Sequence, residues 1–144
     1  MATKRSIKIS VRNLVEFVLR SGDLTTLFSG NSRMLDGSKI HRKIQKAQGA
    51  QYQPEVSLSL VIERPGVTLE VGGRADGVIV RRDENGHEQV IIDEIKSTAS
   101  QLEAIGEFNQ PLHWAQAKCY AYIYAVLHDL DSIQVRLSYC QFDT

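Results

Sequence analysis

The sequence predicts a single α/β domain, with a mixed four-stranded sheet flanked by helices. Three observations carry this. From Ser32 onward the hydrophobic periodicities run α-β-β-β-α-β, a meander of three strands and then a helical crossover to a fourth. The 144 residues suit one domain, read as 1–144, with a core of ordinary size. No internal repeat, low-complexity tract or Pro-, Gly- or Ser-rich linker divides them.

Taken in order, Ser10 reads as the N-cap of a helix over Val11 to Arg20, with Val11, Leu14, Val15 and Val18 at helical spacing and Gly22 as the stop. A second helix is expected over Ser32 to Ala47, with Ile40, Ile44 and Ala47 on its buried stripe and Gly49 ending it. The segment Glu55 to Glu63 alternates through Val56, Leu58, Leu60 and Ile62, the period of a half-buried strand. Arg64-Pro65-Gly66 has the chemistry of a turn. The next strand runs from Val67 to Arg81, with a bulge expected at Gly72-Gly73. Asn85-Gly86 signals a hairpin into a third strand, Glu88 to Ser97, whose Val90-Ile91-Ile92 run suits a central position.

After a loop or short helix over Thr98 to Phe108, Asn109 caps a long helix with Pro111 in its first turn, ending near His128. Its apolar residues run nearly all the way round, so it is expected to be well buried. Ser132 to Phe142 alternates through Ile133, Val135, Leu137 and Tyr139 as the fourth strand.

Composition narrows the function. Hydrophobic residues make up 42% and charged residues 24%, ordinary for a water-soluble domain. No run of about 18 apolar residues exists to span a membrane, and no signal-peptide stretch follows the basic opening from Met1 to Lys8. The expectation is a cytoplasmic protein with no membrane partner. Cys119 and Cys140 form no CxxC pair and read as reduced core thiols. The net charge of +0, from 17 basic and 17 acidic residues, disfavours nonspecific coating of nucleic acid but not a local binding groove.

The chemistry concentrates in Asp93-Glu94-Ile95-Lys96. On a strand Glu94 and Lys96 share a face, and Asp93 takes the other. Asp76 lies about as far from the Asn85-Gly86 turn as Glu94 does, so the hairpin makes the two carboxylates neighbours. Adjacent carboxylates repel, and a divalent cation with a taste for oxygen ligands, Mg²⁺ or Mn²⁺, removes the penalty. Such a cation activates water and stabilises charge on a phosphate. Lys96 would orient or deprotonate the water, or neutralise developing charge.

Asp76 followed by Glu94-Ile95-Lys96 resembles the PD-(D/E)xK nuclease superfamily, whose core order α-β-β-β-α-β is similar to the one read here. His41, on the second helix, looks like the N-terminal helical histidine of RecB-like nucleases. Gln116 and Tyr120 form a QxxxY pattern similar to the RecB and CRISPR-associated exonuclease branch. The opening segment also resembles the nuclease region fused to some bacterial DinG-type helicases, although no helicase motif is present.

The resemblance implies a restriction-endonuclease-like fold and hydrolysis of DNA phosphodiesters, exonucleolytic or on single strands and flaps, in repair or recombination. It implies that His41, Asp76, Glu94 and the Ile95 carbonyl ligate Mg²⁺ or Mn²⁺ and that Lys96 is the catalytic lysine. Gln116 and Tyr120 would hold the lysine or the DNA backbone. Arg42 and Lys43, with Arg12, Arg20 and Arg33, would offer a phosphate-binding edge. The four cysteines that hold an iron–sulfur cluster in several relatives are missing, so no cluster is expected. DNA is the implied partner, with a helicase domain or subunit as a further one. The alternatives are a DNA-binding module with a vestigial site and a sequence-specific endonuclease. His113, beside Trp114, has no spacing that assigns it a role.

Overall fold

The computed structural model describes residues 4–19, 34–98 and 111–141. Its elements are β1 (Arg5–Ser10), α1 (Val11–Val18), α2 (Met34–Ala47), β2 (Tyr52–Arg64), β3 (Val67–Arg82), β4 (Glu88–Thr98), α3 (Pro111–His128) and β5 (Gln134–Gln141). The α-β-β-β-α-β order stands, but the sheet has five strands rather than four. The addition is β1, which pairs in parallel with β3 from Arg5↔Val67 to Ser10↔Gly72. Its side chains are mostly exposed, so little in its own pattern marks it; the strand is made by its partner. Ser10 closes it and caps α1, its hydroxyl accepting from the Asn13 N–H at 3.0 Å.

The long strand β3 organises the sheet. One edge pairs with antiparallel β2 along almost its whole length. The other edge is shared: β1 occupies Val67 to Gly72, and antiparallel β4 occupies Gly77 to Arg82. Between them the edge carries no ladder partner, so the sheet forks there. Beyond β4 lies parallel β5, reached through α3. The hairpin between β3 and β4 is closed by Gly86 N–H donating to the Asp83 carbonyl at 3.0 Å and by Asp83 N–H donating to the His87 carbonyl at 2.8 Å.

The bulge expected at Gly72-Gly73 is not there, since these residues pair in register with Ser59 and Leu58. The irregularity comes three residues later. Pairing lapses opposite Glu55, whose φ of 52° is a left-handed conformation that costs a non-glycine residue about 1 kcal/mol or more. Across this point the strand turns over. A side chain at Gly73 would collide with Tyr120 of the main core, and one at Gly77 with Tyr52 of a separate cluster with Ile79 and Ile91. Residues four apart would otherwise share a face. The break therefore brings Val78 into the main core after Val71 and Ala75 have already faced it.

The packed face of each helix is narrower than its apolar residues suggest, which corrects the burial expected for α2 and α3. In α1, Val11 and Val15 are buried, but Val18 is exposed. In α2, Ile44 is half-buried and Ala47 is exposed, and the side chain of Ile40 lies outside the described residues. The long helix α3 is not buried all round: Ala117, Tyr120, Ala121, Ile123 and Tyr124 pack inward, whereas Tyr122 is 63% exposed and Val126 and Leu127 also face out. Apolar content does not choose the packed face; contact with the sheet does. The expected caps at Asn109 and the segment ends at Arg20, Ser32 and Phe142 lie outside the described residues. No described helix is long and apolar enough to cross a membrane. Cys119 and Cys140 are not joined by a disulfide, and both are half-buried.

Candidate active site

The β3–β4 ladder stops at Gly77↔Asp93. One more step would set Asp76 opposite Glu94. There the side chains replace the ladder: the Ile95 N–H donates to Asp76 Oδ2 at 2.7 Å, and the Asp76 N–H donates to Glu94 Oε1 at 3.3 Å. The two carboxylates are thus locked side by side at the fork, as the count from the turn predicts. Glu94 is 3% exposed. Burial first, and then the negative charge of Asp76, push its carboxyl up to about 8; Lys96, with Nζ 3.7 Å from Oε2, works the other way.

Lys96 reaches across to α3, where its ammonium donates to Gln116 Oε1 at 2.7 Å. The expected partnership of lysine and glutamine is therefore met by geometry. Tyr120, one turn on, does something else. It is 4% exposed and packs under β3 at Gly73. Burial, and then the charges of Glu94 and Asp76, push its phenol up to about 12. Its placement is that of a brace for the strand, without the exposure needed to touch a DNA backbone.

Helix α2 approaches from the other side. Gln45 donates from Nε2 to the Asp76 carbonyl at 2.8 Å. His41, one turn earlier on the same helical face, brings Nδ1 to 3.7 Å from Asp76 Oδ1. Arg42 and Lys43 are exposed on that helix. Arg12 is paired with Glu16 on α1, and Arg20 and Arg33 lie outside the described residues.

Sequence reasoning missed three neighbours. Gln45 follows His41 by four residues, a spacing that could have flagged it. His113 precedes Gln116 by three on α3 and contacts Tyr139, with Nδ1 2.9 Å from the Tyr139 hydroxyl. Tyr139 is the register partner of Lys96 on β5, which no local pattern reveals.

Asp93 faces the opposite side, as strand alternation requires. It is 0% exposed and accepts from Tyr52 Oη at 2.8 Å, Ser138 Oγ at 2.7 Å, and Arg136 Nε and Nη2 at 3.1 Å each. This network ties β2, β4 and β5 together behind the fork. A cavity of about 290 Å³ opens beside it, lined in part by Gln48, Tyr52, Ile79, Arg81 and Arg136.

Two carboxylates and an imidazole form a donor set that suits a hard divalent cation, and Glu94's suppressed ionisation marks an electrostatic strain that such a cation relieves. Among the described residues, however, no three His, Cys, Asp or Glu side chains already converge on a common metal position. His41, Asp76 and Glu94 stand as a chain of contacts along the fork rather than a closed cage.

A comparison with solved structures finds this chain similar to the crystal structure of SSO0001, with 22% sequence identity and a TM-score of 0.59. The match covers 95% of this chain and 64% of that protein, so the chain spans less than two thirds of its length. Likeness at this identity speaks to the fold alone. No protein-family model matches the chain, and no curated protein does.

Proposed function

We propose that the chain is a metal-dependent nuclease domain of restriction-endonuclease-like fold that hydrolyses DNA phosphodiester bonds. The observation that carries this reading is the fork itself. It sets Asp76 and Glu94 side by side and aims Lys96 from the same face, held by Gln116. His41, Asp76 and Glu94, with the Ile95 carbonyl, would hold Mg²⁺ or Mn²⁺. When bound, such a cation lowers the pKa of water and offsets charge on a phosphate.

The chain's own groups divide the remaining work. Asp76 and Glu94 would hold the cation, and through it set where the reacting phosphate lies. Lys96 presents its ammonium to the attacking water or to the developing charge, and Gln116 restricts where that ammonium points. Gln45 holds the Asp76 backbone, so the carboxylate turns toward His41. Exonucleolytic or single-strand action in repair or recombination, and service to a helicase subunit, belong to the same proposal, as does a cytoplasmic location.

The test is cleavage of 5′- and 3′-labelled single-stranded and duplex DNA, comparing the wild type with Lys96→Ala in Mn²⁺, Mg²⁺ or EDTA. Metal-dependent cutting that disappears in Lys96→Ala is the expected result. DNA binding without cutting by either protein would favour a binding module with a vestigial site.

A further inference from the structure

His113 is a half-buried imidazole that the mechanism above leaves unused. It sits one helical turn before Gln116, so both project from one side of α3. Its Nδ1 is hydrogen-bonded to the Tyr139 hydroxyl at 2.9 Å, and the two rings pack with centroids 5.7 Å apart. Tyr139 is the register partner of Lys96 on the adjoining strand, about one strand spacing of 4.8 Å away. The row Glu94, Lys96 and Gln116 is thereby extended by His113 and Tyr139. Among the described residues, Nε2 has no hydrogen-bond partner.

We infer that His113 contacts the substrate: with Nδ1 accepting from the Tyr139 hydroxyl, its Nε2–H donates to a backbone phosphate oxygen lying beside Lys96. This rests on the nuclease reading. A neutral imidazole has one donor and one acceptor nitrogen, and the bond made by one assigns the role of the other. Burial raises the Tyr139 phenol, so its hydroxyl retains a proton to donate to Nδ1. Burial and the nearby Lys96 charge push His113 down to about 4, which keeps its ring neutral at neutral pH. A neutral donor beside a lysine binds a phosphate without adding a second cation next to the first. Hydrogen bonds to charged acceptors are the stronger kind, so the contact should matter for affinity.

The test uses the full chain with ¹⁵N-labelled histidine and backbone, in Ca²⁺. Long-range ¹H–¹⁵N correlation spectra read the His113 tautomer directly. The probes are a thymidine dinucleotide and its uncharged methylphosphonate analogue. The expected result is an Nε2–H tautomer whose signal moves with the phosphodiester and not with the methylphosphonate. In Tyr139→Phe the tautomers should mix. Dinucleotide affinity should fall roughly tenfold or more in His113→Ala and recover in His113→Gln, whose amide is a donor of similar reach.

An Nδ1–H tautomer overturns the inference. So does a still His113 signal while the Lys96 and Gln116 amides move, an outcome that leaves the nuclease reading standing. If no resonance near Lys96 moves with either probe, both fall. The wild-type spectra decide the matter even if His113→Ala fails to fold.

Discussion

Lys96 on β4 and Gln116 on α3 meet at 2.7 Å between the ammonium and the amide oxygen, across the sheet–helix interface. That bond replaces rotamer freedom with one direction, toward the carboxylate pair. Lys96→Ala should lower DNA cleavage by about a hundredfold or more, because it removes a charge placed for the transition state. Gln116→Ala should cost less, roughly tenfold, because the lysine remains but is misdirected. Rate measurements at saturating DNA separate the two. Equal losses would mean that Gln116 does more than aim Lys96.

Glu94 makes the metal-free fold sensitive to pH in a definite direction. Its carboxyl titrates at about 8 in the folded chain against an ordinary 4.5, so the folded state holds a proton that the unfolded chain has lost. The stability it contributes is therefore fully present below about 4.5 and is lost as pH rises through about 8. Thermal melting in EDTA should show the midpoint falling across that window, and Glu94→Gln should flatten the slope. A wild-type midpoint that rises across the window would contradict the placement of Glu94.

The same proton links pH to metal. Binding must release it, so Mn²⁺ affinity measured by calorimetry should rise with pH up to about 8 and then level off. Asp76→Asn should weaken binding by about tenfold or more, since it removes one of the two charges that the cation relieves. Affinity unchanged in that variant would place the metal elsewhere.

Behind the fork, Asp93 is expected to serve stability alone. Asp93→Ala leaves Tyr52, Ser138 and Arg136 without their shared acceptor and should cost about 3 kcal/mol. Urea unfolding should show a lower midpoint with an unchanged slope. In Asp93→Asn, metal affinity in the chain that remains folded should match the wild type, because Asp93 faces away from Glu94.

The close fit of Gly73 against Tyr120 offers a paired test. An added methyl at Gly73 would meet the tyrosine hydroxyl first, at 2.5 Å. Gly73→Ala should destabilise by about 1–3 kcal/mol, and Tyr120→Phe in the same chain should recover part of it by removing that oxygen. A double variant no better than the sum of the two single changes would assign the strain to the backbone instead.

Much of this site could be read from residues in order. The α-β-β-β-α-β succession, the Ser10 cap and the side-by-side placement of Asp76 and Glu94 follow from local periodicity and from counting outward along one hairpin. So does the opposite facing of Asp93, because strand alternation is a property of the chain itself. The pairing of Lys96 with Gln116 was legible only through motif resemblance. What tertiary structure alone decided was which surfaces meet. Strand β1 exists because β3 offers it an edge, and the fork exists because β1 and β4 divide that edge between them. The turnover at Glu55 and Asp76 shifted the irregularity away from Gly72-Gly73. Tyr120 became a brace, and α3 kept an open face, because the sheet can cover only one side of a helix. His113 and Tyr139 joined the site through the β4–β5 register. Side chains far apart in the chain are brought together by packing, and no local pattern records that choice.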